Sequence, residues 1–265
     1  MGGAAPESAE VDRLPGWVTL LRAPNPGPMT LDGTNTWILR APGAEFATVI
    51  DPGPLDDGHL RRIADHGPFQ FVLITHGHRD HVEGADRLSG MLGGTAILAV
   101  DPAHCHNGEP LDPSESLGGN GLEIRVVDTP GHTSDSVSFL IECEGDRAMF
   151  TGDTILGRGT TVVAHPDGDL GEYLDSLELL SAYPEVLMLP GHGPARADTA
   201  ECARFYLDHR RERLAQVTAA LAAGAETPAA VVDMVYPHID PAVRFAAEWS
   251  AAAQIDYLRR KRVTP

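Results

Sequence analysis

The run LITHGHRDH at 73–81 puts three histidines and one aspartate, His76, His78, Asp80 and His81, within six residues directly behind an apolar stretch. On extended backbone, positions 76 and 78 point the same way, because side chains alternate along a strand. Imidazole and carboxylate are suitable ligands for a borderline cation such as Zn²⁺. Four such groups at the end of a buried strand would otherwise repel one another or stay unpaired. Three further positions repeat the setting. His132 in TPGHT, Asp153 in FTGDT and His192 in LPGHGP each follow an apolar run and adjoin a glycine, which lets backbone approach a site closely. These ligand-type residues, spread over four strand-end loops, predict one metal centre. His59, His66, His104, His106, His165, His209 and His238 lack that context and are read as ordinary core or surface residues.

The elements that must position these loops follow from hydrophobic periodicity. Strands are predicted at 17–21, 35–41, 46–53, 69–75 and 95–102, with helices at 55–66 and 81–92. The region 103–120 reads as loop. The second half repeats the style, with strands at 122–132, 136–146, 147–154 and 186–194 and a helix at 170–183. From about Ala195 the pattern is helical: a long segment to Ala223, a short one at 228–236, and a third at 241–262. Phe245 and Trp249, four apart on that last helix, are expected to face a core. The organisation predicted is a flexible N-terminus at 1–16, an α/β domain at 17–197 and a helical region at 198–265. Two strand-rich halves can pack sheet on sheet with helices outside, and strand ends gathered at one edge make the site.

Composition narrows the class. The 265 residues are 42% hydrophobic, which suits one large α/β domain with a small appendage. No apolar stretch reaches about 18 residues, so no membrane partner is expected. The N-terminus MGGAAPESAEVDRL has neither a basic nor an apolar signal region. The cysteines, Cys105, Cys143 and Cys202, are scattered and odd in number, which points to a reducing, cytoplasmic setting. The net charge of −18 repels polyanions at long range and counts against a dedicated nucleic-acid-binding module.

The motifs THGHRDH, PGHT, TGDT and PGHGP, in this order, resemble the metallo-β-lactamase superfamily of binuclear hydrolases, over roughly residues 17–195. The resemblance implies an α/β fold of αββα sandwich type with the site at one sheet edge. It implies that His76, His78 and His132 hold one divalent ion and that Asp80, His81 and His192 hold a second, with Asp153 bridging. Zinc is the expected metal, although manganese or iron suits the same ligands. A closer resemblance is carried by MTLDGTNTWIL (29–39), TILGRGTTVV (154–163) and FYLDHRRERL (205–214), which are similar to the beta-lactamase-like protein 2 family. Mitochondrial members of that family are single-strand-specific endoribonucleases. There the C-terminal region is a small winged-helix-like domain; this chain ends soon after LRRKRV, where wing strands are expected.

Two such ions hold a bridging hydroxide near neutral pH, and that hydroxide is the expected nucleophile. Asp80 and Asp153 are expected to be ligands first and also to orient the water or hold its proton, which makes them the catalytic candidates. Thr75 and Thr133 are plausible partners for the ligands. Asn35, Thr36 and Arg158 are the candidate substrate contacts, the first two as hydrogen-bond donors and the arginine for an anionic group. The run Arg259, Arg260, Lys261, Arg262 either complements the helix dipole or contacts a phosphate backbone. Two substrate classes fit: single-stranded RNA, and a small acyl or thioester substrate of the hydroxyacylglutathione-hydrolase kind. Antibiotic hydrolysis fits less well, because THGHRDH and PGHT carry no cysteine ligand.

Overall fold

The computed structural model describes residues 8–263. Five strands form the first sheet in sequence order: β1 (Val18–Arg22), β2 (Asn35–Leu39), β3 (Ala47–Ile50), β4 (Phe69–Leu73) and β5 (Ala96–Leu98). The second sheet runs β10-β9-β8-β7-β6, from β6 (Ser116–Gly119), β7 (Leu122–Asp128), β8 (Val137–Cys143), β9 (Asp146–Gly152) and β10 (Leu187–Pro190). β3 and β4 pair in parallel, as do β9 and β10. β7 is antiparallel to β8, and β8 to β9, so β7 ends on the same side as β9.

Alternation within the apolar runs builds the layers. Trp37, Leu39, Ile50 and Leu73 point inward and meet Ile124, Phe139, Phe150 and Leu189 of the other sheet. Their neighbours Ile38, Val49 and Val72 point outward, under α1 (Asp57–Ala64) and α3 (Ala85–Met91). Met149 and Met188 do the same under α4 (Leu170–Leu180) and the long α5 (Thr199–Ala222). The result is the expected αββα sandwich. Cutting a central side chain such as Phe150 to alanine costs about 3–5 kcal/mol.

Several elements depart from the sequence expectations. The helix expected over 81–92 is two pieces, α2 (Arg79–Val82) and α3, parted at Gly84. A Cβ on Gly84 would stand 2.8 Å from Leu60 and 3.0 Å from the Pro54 carbonyl, so the chain is pressed against its neighbours there. The 103–120 region holds an edge strand, β6, whose SLGG sequence has no apolar alternation and takes its register from β7.

The N-terminus is anchored from Ser8 onward, whereas 1–16 was expected to be flexible. Ser8 is buried, its Oγ accepts from Asp198 N, and its carbonyl accepts from Arg196. Residues 1–7 lie outside the described residues. Behind β10 come α5, α6 (Pro228–Val235) and α7 (Arg244–Val263), with no strand among the described residues of this region. The first half of α5 belongs to the main core through Cys202, Ala203 and Tyr206, and its second half to a small core with α6 and α7. Phe245 and Trp249 do not face a core. They are 43% and 47% exposed and pack edge-on against each other at 5.0 Å. Four-residue spacing assigns them one helix face and leaves open which face it is.

Candidate metal centre

The ligand-type residues converge at the rim where β3, β4, β7, β9 and β10 end. Backbone bonds join the two sheets at this rim: Val137 N to the Thr75 carbonyl at 2.9 Å, and Asn35 N to the Gly191 carbonyl at 2.8 Å. The short α2 turns Asp80 and His81 inward, with the His78 carbonyl accepting from His81 N at 2.9 Å. Gly191 has no room for a side chain. A Cβ there would stand 2.5 Å from Asp153 Oδ1 and 2.7 Å from His81 Cε1.

Two trios, His76, His78 and His132, and Asp80, His81 and His192, are joined by a third set, His76, His81 and Asp153, and in each the ligand atoms lie within 4.8 Å of one another. In the first, His78 Nδ1 faces His76 Nε2 and His132 Nε2, each at 3.0 Å. In the second, His81 Nε2 and His192 Nε2 stand 3.2 Å apart, and Asp80 Oδ2 is 3.1 Å from His192 Nε2. Asp153 reaches both sets, with Oδ1 3.5 Å from His81 Nε2 and Oδ2 3.8 Å from His132 Nε2 and 3.4 Å from His192 Nε2.

This arrangement fits a pair of cations. A tetrahedral ion with Zn–N bonds of about 2.0–2.1 Å separates its ligand nitrogens by roughly 3.3 Å, close to the spacings seen. Asp153 Oδ1 is buried and accepts no hydrogen bond, a costly state for a carboxylate with no cation beside it. The outward-facing ring nitrogens also agree. Nδ1 of His76 meets Thr75 Oγ1 at 3.0 Å, that of His81 meets Asp51 Oδ2 at 2.8 Å, that of His132 meets the Val162 carbonyl at 2.7 Å, and that of His192 meets the Gly33 carbonyl at 3.3 Å. With Nδ1 donating outward, Nε2 is the nitrogen turned into the centre, free to ligate once it carries no proton.

The electrostatics divide the two trios. Burial holds His132 down at about 4, against the pull of Asp153, and puts His76 well below its usual value, helped by His81. Burial opposes charge on His81 and His192 as well, but the carboxylates outweigh it. Asp153, Asp80 and Asp51 raise His81 well above its usual value, and Asp153 and Asp80 raise His192 to about 9. Asp80, in spite of its burial, is held at about 2 by His81 and His192.

Asp51 escaped the sequence reading. Its carboxylate accepts from Thr75 N, Thr75 Oγ1 and His81 Nδ1 at 2.7–2.8 Å, in a left-handed turn at φ 52°. The signal was present: VIDPG is another apolar strand that ends in a carboxylate beside glycine. Thr75 supports a ligand as expected. Thr133 does not, because its hydroxyl bonds to Asp135 and Ser136.

The three expected substrate contacts are engaged elsewhere. Asn35 is fully buried; its amide donates to the Pro190 and Gly193 carbonyls at 3.0 and 2.9 Å and so fixes the His192 loop. Thr36, also buried, donates to the Asp51 carbonyl at 2.7 Å and meets His59 Nε2 at 2.9 Å, which braces the Asp51 turn. Arg158 is half-exposed and held in a two-pronged pair with Asp32 at 2.5 and 2.8 Å.

A strand-edge centre of this composition on an αββα sandwich defines a class, and comparison with known proteins agrees. The model of the metallo-beta-lactamase superfamily matches residues 29–192; the chain belongs to this superfamily and is a metal-dependent hydrolase. Within the superfamily, the similarity to the beta-lactamase-like protein 2 family holds. The chain is 30% identical over 249 residues to the beta-lactamase-like protein 2 homolog of Caenorhabditis elegans, covering 89% of this chain and 82% of that one. It is also 33% identical over 284 residues to an atrochrysone carboxyl ACP thioesterase of Aspergillus fumigatus, covering 97% and 86%. A beta-lactamase domain protein from Burkholderia ambifaria has the same fold, with a TM-score of 0.80 at 23% identity over 98% of this chain and 91% of that one. No helix among the described residues is long and apolar enough to cross a membrane.

Proposed function

We propose that the protein hydrolyses acyl thioesters with two divalent ions, zinc first among them. The observation that carries this reading is the charge around the centre. Arg79 and Arg158, which flank ligand residues, are paired with Glu83 and Asp32, on a chain of net charge −18. A phosphodiester backbone is gripped by several available cations, whereas a thioester carbonyl needs none. The thioesterase among the relatives supports the same direction. The unpaired thiols fit a cytoplasmic setting: burial pushes Cys143 up and Cys202 to about 11.

His76, His78 and His132 would hold one ion and Asp80, His81 and His192 the other, with Asp153 between them. The ions would supply Lewis-acid activation of the attacking water and of the substrate carbonyl. The protein's own part is orientation. Asp80 is the carboxylate turned to the opening, its side chain 29% exposed against 10% for Asp153. Its Oδ2 is taken by His192 and by Thr34 at 3.5 Å, which leaves Oδ1 to accept a hydrogen bond from the attacking water. The buried ligands behind it keep bulk water out.

A second reading, cleavage of single-stranded RNA, is favoured by Arg259 and Lys261, both exposed on the last turns of α7. That helix docks through Arg260 onto Asp169 at 2.5 Å, and Asp169 N bonds the carbonyl of Gly131, next to His132. One panel separates the two readings. Zinc-loaded protein is given acyl-glutathione, acyl-CoA, acyl-carrier-protein esters and unstructured RNA, with Asp153→Asn alongside. Thiol release that Asp153→Asn abolishes supports the thioesterase reading. RNA cleavage with no thiol release would overturn it.

A further inference from the structure

The segment between Asp153 and α4 contains no helix or strand, yet it carries the carbonyl that fixes a ligand. Val162 accepts from His132 Nδ1 at 2.7 Å, and Thr161 Oγ1 lies 3.4 Å from the same nitrogen. Two buried side chains one turn apart on α5 hold this segment. Tyr206 accepts at its hydroxyl from Leu156 N at 2.9 Å. Arg210 donates from its guanidinium to the Thr161 carbonyl and lies over the Tyr173 ring at 5.2 Å. Tyr173 in turn donates to the Thr154 carbonyl at 2.7 Å. Two runs that lie outside the ligand motifs, TILGRGTTVV and FYLDHRRERL, are therefore the two sides of one clasp.

Arg210 is the unusual member. It is 4% exposed, its Nε has no hydrogen-bond partner, and no carboxylate pairs with it among the described residues. A buried guanidinium without a counter-charge lowers stability. What it gains is a fixed point on a segment with no secondary structure of its own. We propose that Arg210 is a positioning residue for the trio His76, His78 and His132: by holding Thr161 it fixes the Val162 carbonyl that orients His132, so that α5 of the C-terminal region sets how firmly this trio grips its ion.

The inference rests on the two-ion reading, and one experiment tests both. Metal-depleted protein is titrated with zinc against a chromophoric chelator, for wild type, Arg210→Met, Arg210→Lys and Leu207→Ala. His78→Ala, which removes a ligand from this trio alone, assigns the two affinities. Loss of a partner that orients a metal ligand typically weakens the ion about 10–100-fold. Arg210→Met is expected to weaken the His132 ion by at least about tenfold and the other ion less than about twofold. Arg210→Lys, which keeps the charge but not the fork, should fall between wild type and Arg210→Met. It decides the matter if Arg210→Met does not fold.

Leu207→Ala loosens the same helix in the same core without removing a hydrogen bond to the segment, and should leave the ratio of the two affinities unchanged. In protein labelled with ¹⁵N-histidine, the His132 Nδ1 proton should exchange faster in the Arg210 variants while that of His81, held by Asp51, does not. Equal weakening of both ions, the pattern expected of Leu207→Ala, or no weakening at all overturns the role of Arg210. Wild-type uptake of one ion at the His78 trio overturns the two-ion reading and still leaves the comparison decisive at that ion; uptake of none overturns both.

Discussion

Asp51 Oδ2 and His81 Nδ1 meet at 2.8 Å with both side chains closed to water. The same carboxylate also accepts from Thr75, whose hydroxyl meets His76. One aspartate that is not itself a ligand thus orients a histidine in each trio. Asp51→Asn keeps the shape and removes the charge. It should weaken ion binding about tenfold or more, with the greater loss at the His81 trio, where the contact is direct. Chelator competition measures both affinities; a variant that binds like wild type refutes the role.

Gly191→Ala drives a methyl group toward Asp153 and His81. Secondary structure should survive, because the position lies in a rim loop, while bound metal drops below two ions per chain. Circular dichroism and elemental analysis on the same preparation check this. Full occupancy in a folded variant would contradict the close approach.

Asn35→Ala leaves the buried Gly193 carbonyl without its donor, while the Pro190 carbonyl keeps the Trp37 indole N–H at 3.1 Å. At about 1–3 kcal/mol for one unsatisfied group, the variant should lose roughly that much in denaturant unfolding of the metal-depleted protein. Since the amide also ties down the His192 loop, affinity for the ion held by the His81 trio should fall with it. A loss under about 1 kcal/mol would mean that the loop stands without Asn35.

Metal uptake should release protons unequally. His192, raised to about 9 by Asp153 and Asp80 against the effect of burial, carries a proton at neutral pH that must leave before Nε2 can ligate. Rising pH therefore favours the ion at this trio, by about tenfold per unit from pH 7 until the gain levels off near pH 9; the raised His81 can only steepen the slope. His132, held at about 4 by burial, and His76, lower than usual, are already neutral, so the other ion should show a shallower slope between pH 7 and 9. Titrations at pH 7, 8 and 9 decide this, and parallel slopes would count against the division.

The ligands were legible because each breaks a local rule in the same way: an ionisable group next to glycine, at the end of a strand too apolar to be exposed. Asp51 obeys that rule too, but no ligand position remained for it to fill, and orienting partners have no spacing of their own. Asn35 and Thr36 were assigned to the substrate side because sequence shows polarity and not depth; only the packing of β2 between its neighbours puts them behind the site. The strand β6 was illegible because an exposed edge of Ser, Leu and two glycines has no alternation to read. Phe245 and Trp249 show the converse, a correct spacing whose direction is set by α6 and α5, elsewhere in the chain.

Each trio takes two members from the stretch 76–81 and one from beyond residue 130, so neither half of the chain owns a full set. His78 and His132 are 54 residues apart, and His81 and His192 are 111 apart. An ion seated in either trio is a removable rivet across a long loop, of the kind that most restricts an unfolded chain. Loading should therefore tighten the whole sandwich as well as arm it, and a fragment that stops before His132 would keep the first strands of the fold and none of its chemistry.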